Sequence, residues 1–346
     1  MEKKGHKYGT HRVIEPKGVL PQPATKISND MNIFDNEILI DVQALNIDSA
    51  SFTQIDEEAG HNIEKIKAKI IKIVAGKGKM QNPVTGSGGM LIGTVEKIGE
   101  ALDGKIGLKV GDKISTLVSL SLTPLRIDEI IDIKLDIDRV VIKGKAILFE
   151  SRLYAKLPKD MDENLALAAL DVAGAPAQVA KLVKPGQSVL LLGAAGKAGM
   201  LCCYEAVKRV GPTGNVIGLV RNEEEKARLK RLSLRMKIVI GDATKAIDVM
   251  NAALECNNGC EVDVAINMVN VPNTEMSSIL PVKDDGIVYF FSMSTSFTKA
   301  ALGAEGVGKD ITMIVGNGYT KGHAEITLEE LRENKILRKI FEELYI

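Results

Sequence analysis

The sequence lacks a surplus of either charge: Lys+Arg and Asp+Glu both number 45. Nucleic acid or an anionic membrane surface would call for a basic excess, so neither is expected as a partner. No apolar run reaches the ~20 residues that cross a bilayer. The opening MEKKGHKYGTHR has no apolar core of the kind a secretory signal carries, and none is expected. Cysteine is scarce: Cys202, Cys203, Cys256 and Cys260. The adjacent pair points in different directions on a helix, and CNNGC has no second Cys or His pair near it. Buried or incidental thiols are expected rather than a zinc site, and the whole fits a reducing cytoplasm. Internal repeats and low-complexity segments are also missing.

What is present suits two domains, since 346 residues is long for one core. The first half is β-rich. EILIDVQALNI, GMLIGTVEKIGE and KVGDKISTLVSL alternate apolar and polar residues, as half-buried strands do, and DRVVIKGKAILFE and RLYAKLP add more. NIEKIKAKIIKIVAGKGK reads as a short amphipathic helix with a solvated lysine face. After Leu157-Pro158 the pattern changes. MDENLALAALDVAGAPAQVAKLV is helical, with a proline that breaks or restarts it. Strands and helices then alternate from SVLLLG to ITMIVGN, the signature of a parallel sheet covered on both faces. TLEELRENKILRKIFEELYI closes the chain as one long helix or a helix pair. The expected divisions are a β-rich domain over 1–166, a nucleotide-binding domain over 167–316, and a return to the first domain over 317–346.

The stretch SVLLLGAAGKAGMLCCYEAVKRVG carries the strongest motif. Gly193 allows the turn off the strand, Gly196 lets a pyrophosphate approach the backbone, and Gly199 lets the helix pack on the sheet. Bare amides at the helix start favour phosphate. Glycines also end strands for structural reasons, but a strand–turn–helix–strand context favours a dinucleotide site. Ala195, Lys197 and Ala198 complete the turn. The second strand ends in Val220-Arg221-Asn222 instead of the acidic residue that bonds a ribose in NAD sites. NADP is therefore expected over NAD, with Arg221 as the 2′-phosphate partner; the plain alternative is a surface arginine neutralised by Glu223 to Glu225. Met268 and Val269, Ser292 and Met293, and Gly316 and Asn317 end later strands and are the remaining cofactor candidates.

The order of these parts resembles the medium-chain dehydrogenase/reductase superfamily over nearly the whole chain, through PVTGSGGMLIGTVEKIGE, LKVGDKI, the KPG turn and the nucleotide loop. The resemblance implies a doubly wound Rossmann-type sheet joined to a β-rich GroES-like catalytic domain. It also implies a homodimer or homotetramer built through exposed strand edges. The zinc-bearing members have a Cys after the first long strand and a later Gly-His-Glu. Here Asp48 falls near the first, and Gly86 to Gly89 (GSGG) replace the second, so no catalytic zinc is expected. The segments ALNIDSASFTQI, TGSGGMLIGTV and GNGYTKGHAEITLEELREN are similar to a branch that oxidises an amine of a small diamino acid. That chemistry needs a base and an anchor for an ammonium group. Asp48 is the first candidate, against a turn that bonds its own backbone. Ser51, Thr53 and Ser87 are candidate hydroxyls. Asp171 lies in an Ala/Leu run, where a carboxylate is costly unless it is paired, functional or an N-cap. His323 is a base candidate, with a surface-loop histidine the favoured reading, and Lys77 and Lys79 are candidates for the substrate carboxylate, with a solvated loop expected. His6, His11 and His61 have no partner that the sequence identifies. A zinc-free quinone or enoyl reductase and a non-catalytic NADPH-binding protein are the rival readings.

Overall fold

Alternating apolar residues draw the first half of the chain into an antiparallel sheet. The structure, a computed structural model, describes residues 4–117, 119–151, 153–316 and 318–346, without the side chains of 49, 50 and 136. Contacts divide the chain into two compact units, Met1–Lys159 and Asp160–Ile346.

In the first unit β1 (Val13–Glu15) pairs with β2 (Lys26–Ile27). β3 (Glu37–Asn46) follows and buries Ile38, Ile40 and Val42 on one face. The chain then turns at Asp48 directly into α1 (Ser49–Ala59), where the sequence reads as a loop. Asn62 caps α2 (Ile63–Lys77), whose Ile66, Ile70 and Val74 point inward while its lysines face solvent or the surface. Full burial of each such side chain contributes about 1.5–3 kcal/mol. β4 (Met90–Ile98), β5 (Lys113–Thr116), β6 (Leu125–Lys134), β7 (Arg139–Phe149) and β8 (Tyr154–Lys156) complete a six-stranded sheet in the order β6-β7-β3-β4-β5-β8. β6 is not expected from the sequence. It is an edge strand, so LRIDEIIDIK carries charge on its exposed positions and its apolar signal is diluted.

In the second unit α3 (Glu163–Leu170) and α4 (Gly174–Leu182) precede β9 (Ser188–Leu192). The helix break falls at residues 171–173, ahead of Pro176. The proline sits in the first turn of α4, where its missing N–H needs no partner. The alternation continues through α5 (Lys197–Val210), β10 (Asn215–Val220), α6 (Glu223–Arg231), β11 (Lys237–Ile240), α7 (Ala246–Cys256), β12 (Val262–Asn267), α8 (Glu275–Ile279), β13 (Val282–Phe290), α9 (Phe297–Val307) and β14 (Thr312–Val315). All pairings in the sheet are parallel, in the order β11-β10-β9-β12-β13-β14. β9, buried at all five residues, has β10 on one side and β12 on the other. Strand order reverses there, which is where such sheets take ligands.

The C-terminal segment is a helix pair, α10 (His323–Glu333) and α11 (Lys335–Tyr345), separated by Asn334, which caps the second. α10 packs on α3, α4 and α5, and α11 packs on α3 and α5. The expected boundary at 166 would cut α3, and the expected return of 317–346 to the first domain is replaced by packing within the second unit.

Candidate active site

The glycine turn has the geometry its spacing implies. Gly193 has φ +79°, a conformation that a side chain strains. A Cβ on Gly199 would lie 2.2 Å from the Gly193 carbonyl oxygen, so α5 packs closely under the turn. A Cβ on Gly196 would meet only that same oxygen, at 3.4 Å, so its surroundings are open. Gly196 caps α5 with no side-chain acceptor, which leaves the helix amides for another ligand.

Two hollows flank this turn, of about 540 Å³ and 760 Å³, and share Gly193, Gly196, Met268 and Asn270. The smaller holds Asp171, Lys197, Met293 and Gly316; the larger holds Val220, Arg221, Glu225, Asp242 and Val269. Lys197 Nζ lies 2.9 Å from Asp171 Oδ2 and 5.2 Å from the centre of the Tyr345 ring. Asp171 is thus a C-cap in an ion pair, neither an N-cap nor a carboxylate in an apolar interior. Ala195 and Ala198 are buried in the turn. Ser292 Oγ donates to Asn270 Oδ1 at 3.1 Å, and Met293 is 87% exposed. Asn317 lies outside the described residues.

Arg221 does not present a free cation. Its Nε and Nη2 donate to Glu225 Oε1 at 2.7 and 2.5 Å, and its backbone N–H donates to Glu225 Oε2 at 2.9 Å. Asn222 caps α6 by accepting the Glu225 N–H. Burial works to raise the Glu225 carboxyl, but the Arg221 guanidinium and N–H outweigh it and hold it below the usual range.

The first unit gathers a second group. Asp48 caps α1, its Oδ1 accepting the Ser51 N–H at 3.2 Å, while its buried Oδ2 has no partner among the described residues. Ser51 is fully buried with its hydroxyl against that of Thr85, and Thr85 Oγ1 accepts the Ser87 N–H at 3.3 Å. Asn82 fixes this turn by accepting from Val84 and Thr85 N–H and donating to the Ser51 carbonyl. Asp48, Ser51 and Ser87 therefore come together. Thr53 is exposed, because two residues along a helix lie on different faces.

Lys79 is fully buried, not in a solvated loop; it donates to the Pro21 and Gln22 carbonyls at 2.7 and 2.8 Å, and burial pushes its pKa down to about 8. His323 is likewise buried at the start of α10 and not in a surface loop, and burial lowers its pKa. His11 bonds Glu37 and His61 bonds Asp56.

Residues 11–158 match the family profile of the L-erythro-3,5-diaminohexanoate dehydrogenase N-terminal domain. An L-erythro-3,5-diaminohexanoate dehydrogenase of Fusobacterium nucleatum subsp. nucleatum is 79% identical over 344 residues, covering 99% of this chain and 100% of that protein. The chain belongs to the L-erythro-3,5-diaminohexanoate dehydrogenase family. A second member, from Acetoanaerobium sticklandii, is 75% identical over 99% of this chain and 100% of its own length. Solved structures similar to this member of the family include the CurK enoyl reductase (TM-score 0.52, 17% identity, 89% of this chain and 78% of that one). An Escherichia coli quinone oxidoreductase complexed with NADPH matches with TM-score 0.51 and 17% identity, over 90% of this chain and 80% of that one. These show the fold: a Rossmann-type sheet with a GroES-like partner. The quinone and enoyl reductase reading is a likeness of scaffold, and relatives of high identity favour the amine dehydrogenase.

Among the described residues no three His, Cys, Asp or Glu side chains converge. One residue of the site escapes sequence reasoning. Asn270 faces both hollows from beyond the end of β12, where only a polar residue after a buried strand hints at it. Glu225, at the third helical position of NEEE, is one of the three glutamates that the plain alternative gives to Arg221, and the structure pairs it with that arginine.

Proposed function

We propose that the protein oxidatively deaminates L-erythro-3,5-diaminohexanoate to 5-amino-3-oxohexanoate, with NAD or NADP as hydride acceptor. The substrate amine and water give a ketone, ammonium, a proton and the reduced cofactor. The observation that carries this reading is the Asp48 carboxylate in a chain of this family: one oxygen is fixed by a helix cap, and the other is buried with no partner among the described residues. An unpaired buried acceptor is unfavourable unless a ligand completes it, and a substrate ammonium does so.

The cofactor fits the second unit. The open face of Gly196, the uncapped α5 amides and a hollow on each side of the turn suit a pyrophosphate with a nucleoside on either hand. When bound, the nicotinamide takes the hydride from the carbon that bears the amine. In the first unit, Asp48 Oδ2 holds the ammonium and takes its proton. Ser51 and Thr85 pass hydrogen bonds within the same turn, and Ser87 is positioned by Thr85.

Asp48→Asn tests the assignment. Asparagine caps a helix as well as aspartate does, so the melting temperature should hold. Loss of the charge and the base should lower kcat/KM by ~10²–10⁴. An unchanged kcat/KM with the diamino acid would remove Asp48 from the mechanism.

The same reading makes the protein a cytoplasmic enzyme of lysine fermentation, which its free cysteines support. It also makes the chain a homodimer or homotetramer. The edge strand β14, with Met313 and Val315 exposed, supports self-association. Sedimentation should give a species of at least twice the 37.3 kDa chain mass, and a lone 37.3 kDa species would rule assembly out.

A further inference from the structure

We propose that Glu225 sets the choice between the two nicotinamide cofactors and favours NAD over NADP; this rests on the cofactor reading above and assigns it a specificity residue. β10 ends at buried Val220, so the strand tip has no carboxylate to offer a ribose. The start of α6 restores one. Asn222 caps the helix, Glu225 occupies its third position, and the carboxylate turns back along the end of the strand to accept the Arg221 N–H at 2.9 Å. Arg221 and Glu225 both line the larger hollow.

The side chains differ sharply in exposure: Glu225 is 12% exposed and Arg221 81%. The carboxylate is the fixed member of the pair, and the guanidinium folds down onto it from solvent. Arg221 is the cation of that lining, and its charge is already met. Arg228, on the next turn of α6, is engaged by Glu224 at 3.0 Å. A 2′-phosphate entering here carries close to two negative charges. It faces Glu225 and Asp242 across the hollow, and it recruits Arg221 only by stripping Glu225 of its counter-charge. A 2′-hydroxyl has no such conflict, because it donates a hydrogen bond to a carboxylate.

The test is a fluorescence titration of NADH and NADPH into wild type, Glu225→Gln and Arg221→Ala, with a thermal melt of each. Wild type should bind NADH at least ~10-fold tighter than NADPH, and Glu225→Gln should shrink that ratio at least ~10-fold, chiefly by tightening NADPH. Arg221→Ala should change the NADPH Kd by less than ~3-fold, because the arginine is not the phosphate receptor. Tighter NADPH binding by wild type, an unchanged ratio in a folded Glu225→Gln, or a selective loss of NADPH of ~10-fold or more in Arg221→Ala would each overturn the proposal. Should Glu225→Gln not fold, the other two proteins still decide the matter. Wild type that binds neither nucleotide would instead refute the cofactor reading itself.

Discussion

Arg12→Met is expected to destabilise the first unit by about 3–5 kcal/mol, as removal of one partner of a buried ion pair does. Arg12 and Glu37 are 3% and 1% exposed. The guanidinium donates to Glu37 through Nε at 2.7 Å and Nη2 at 2.6 Å, and to the Asp30 and Asn32 carbonyls at 2.6 and 2.9 Å. It thus ties the chain ahead of β1 to the start of β3. Methionine fills similar space but strands a carboxylate that keeps only His11 and the Phe34 N–H. Denaturant unfolding reads the loss directly. Glu37→Gln in the Arg12→Met background should recover part of it, since a neutral amide needs no counter-charge.

The same pair predicts acid sensitivity. Burial alone would raise the Glu37 pKa, but the bonds from Arg12, His11 and the Phe34 N–H bring it down to about 2, from 4.5. A carboxyl with a lower pKa folded than unfolded stabilises the fold fully above the unfolded value. That contribution fades as pH falls from 4.5 through about 2. For this group it amounts to about 3 kcal/mol, and unfolding curves between pH 6 and pH 2 should flatten in a Glu37→Gln protein.

Gly196→Glu and Gly199→Val should both abolish cofactor binding, by different physics. The Gly196 Cβ position is open, and Gly196 has φ −74°, which any residue adopts. Glutamate there should leave the melting temperature intact while placing a negative charge where phosphate binds. The expected rise in Kd is at least ~100-fold, or about 2.7 kcal/mol. A Gly199 Cβ would lie 2.2 Å from Gly193 O and 2.6 Å from Ala194 C and O. Valine therefore pushes α5 off β9, and both the melting temperature and the affinity should fall. Calorimetry with NADH and a thermal melt separate the two effects. Retained affinity in Gly196→Glu would dissociate the turn from phosphate.

How legible this was in the sequence depends on how local each feature is. β9 to β14 are short apolar runs divided by helices, and their periodicity alone implies the parallel sheet. β6 is hidden because an edge strand can carry LRIDEIIDIK. The NEEE run leaves open which glutamate meets Arg221; helical phase selects Glu225, and only the fold shows that it does so on the wall of a hollow. The hydroxyls of Ser51 and Thr53 look equivalent in a loop but part company once α1 begins at Ser49. Arg12 and Glu37 are 25 residues apart, and no local pattern announces that they meet.

The two glycines that open β4 have a lasting effect on what this scaffold can become. A Cβ at 88 would lie 2.4 Å from the Met80 carbonyl oxygen, and one at 89 would lie 2.0 Å from that of Asn46. Main chain occupies the space that any side chain at either position would need. Grafting histidine there cannot by itself create a metal centre, because the neighbouring peptide would have to be rerouted first.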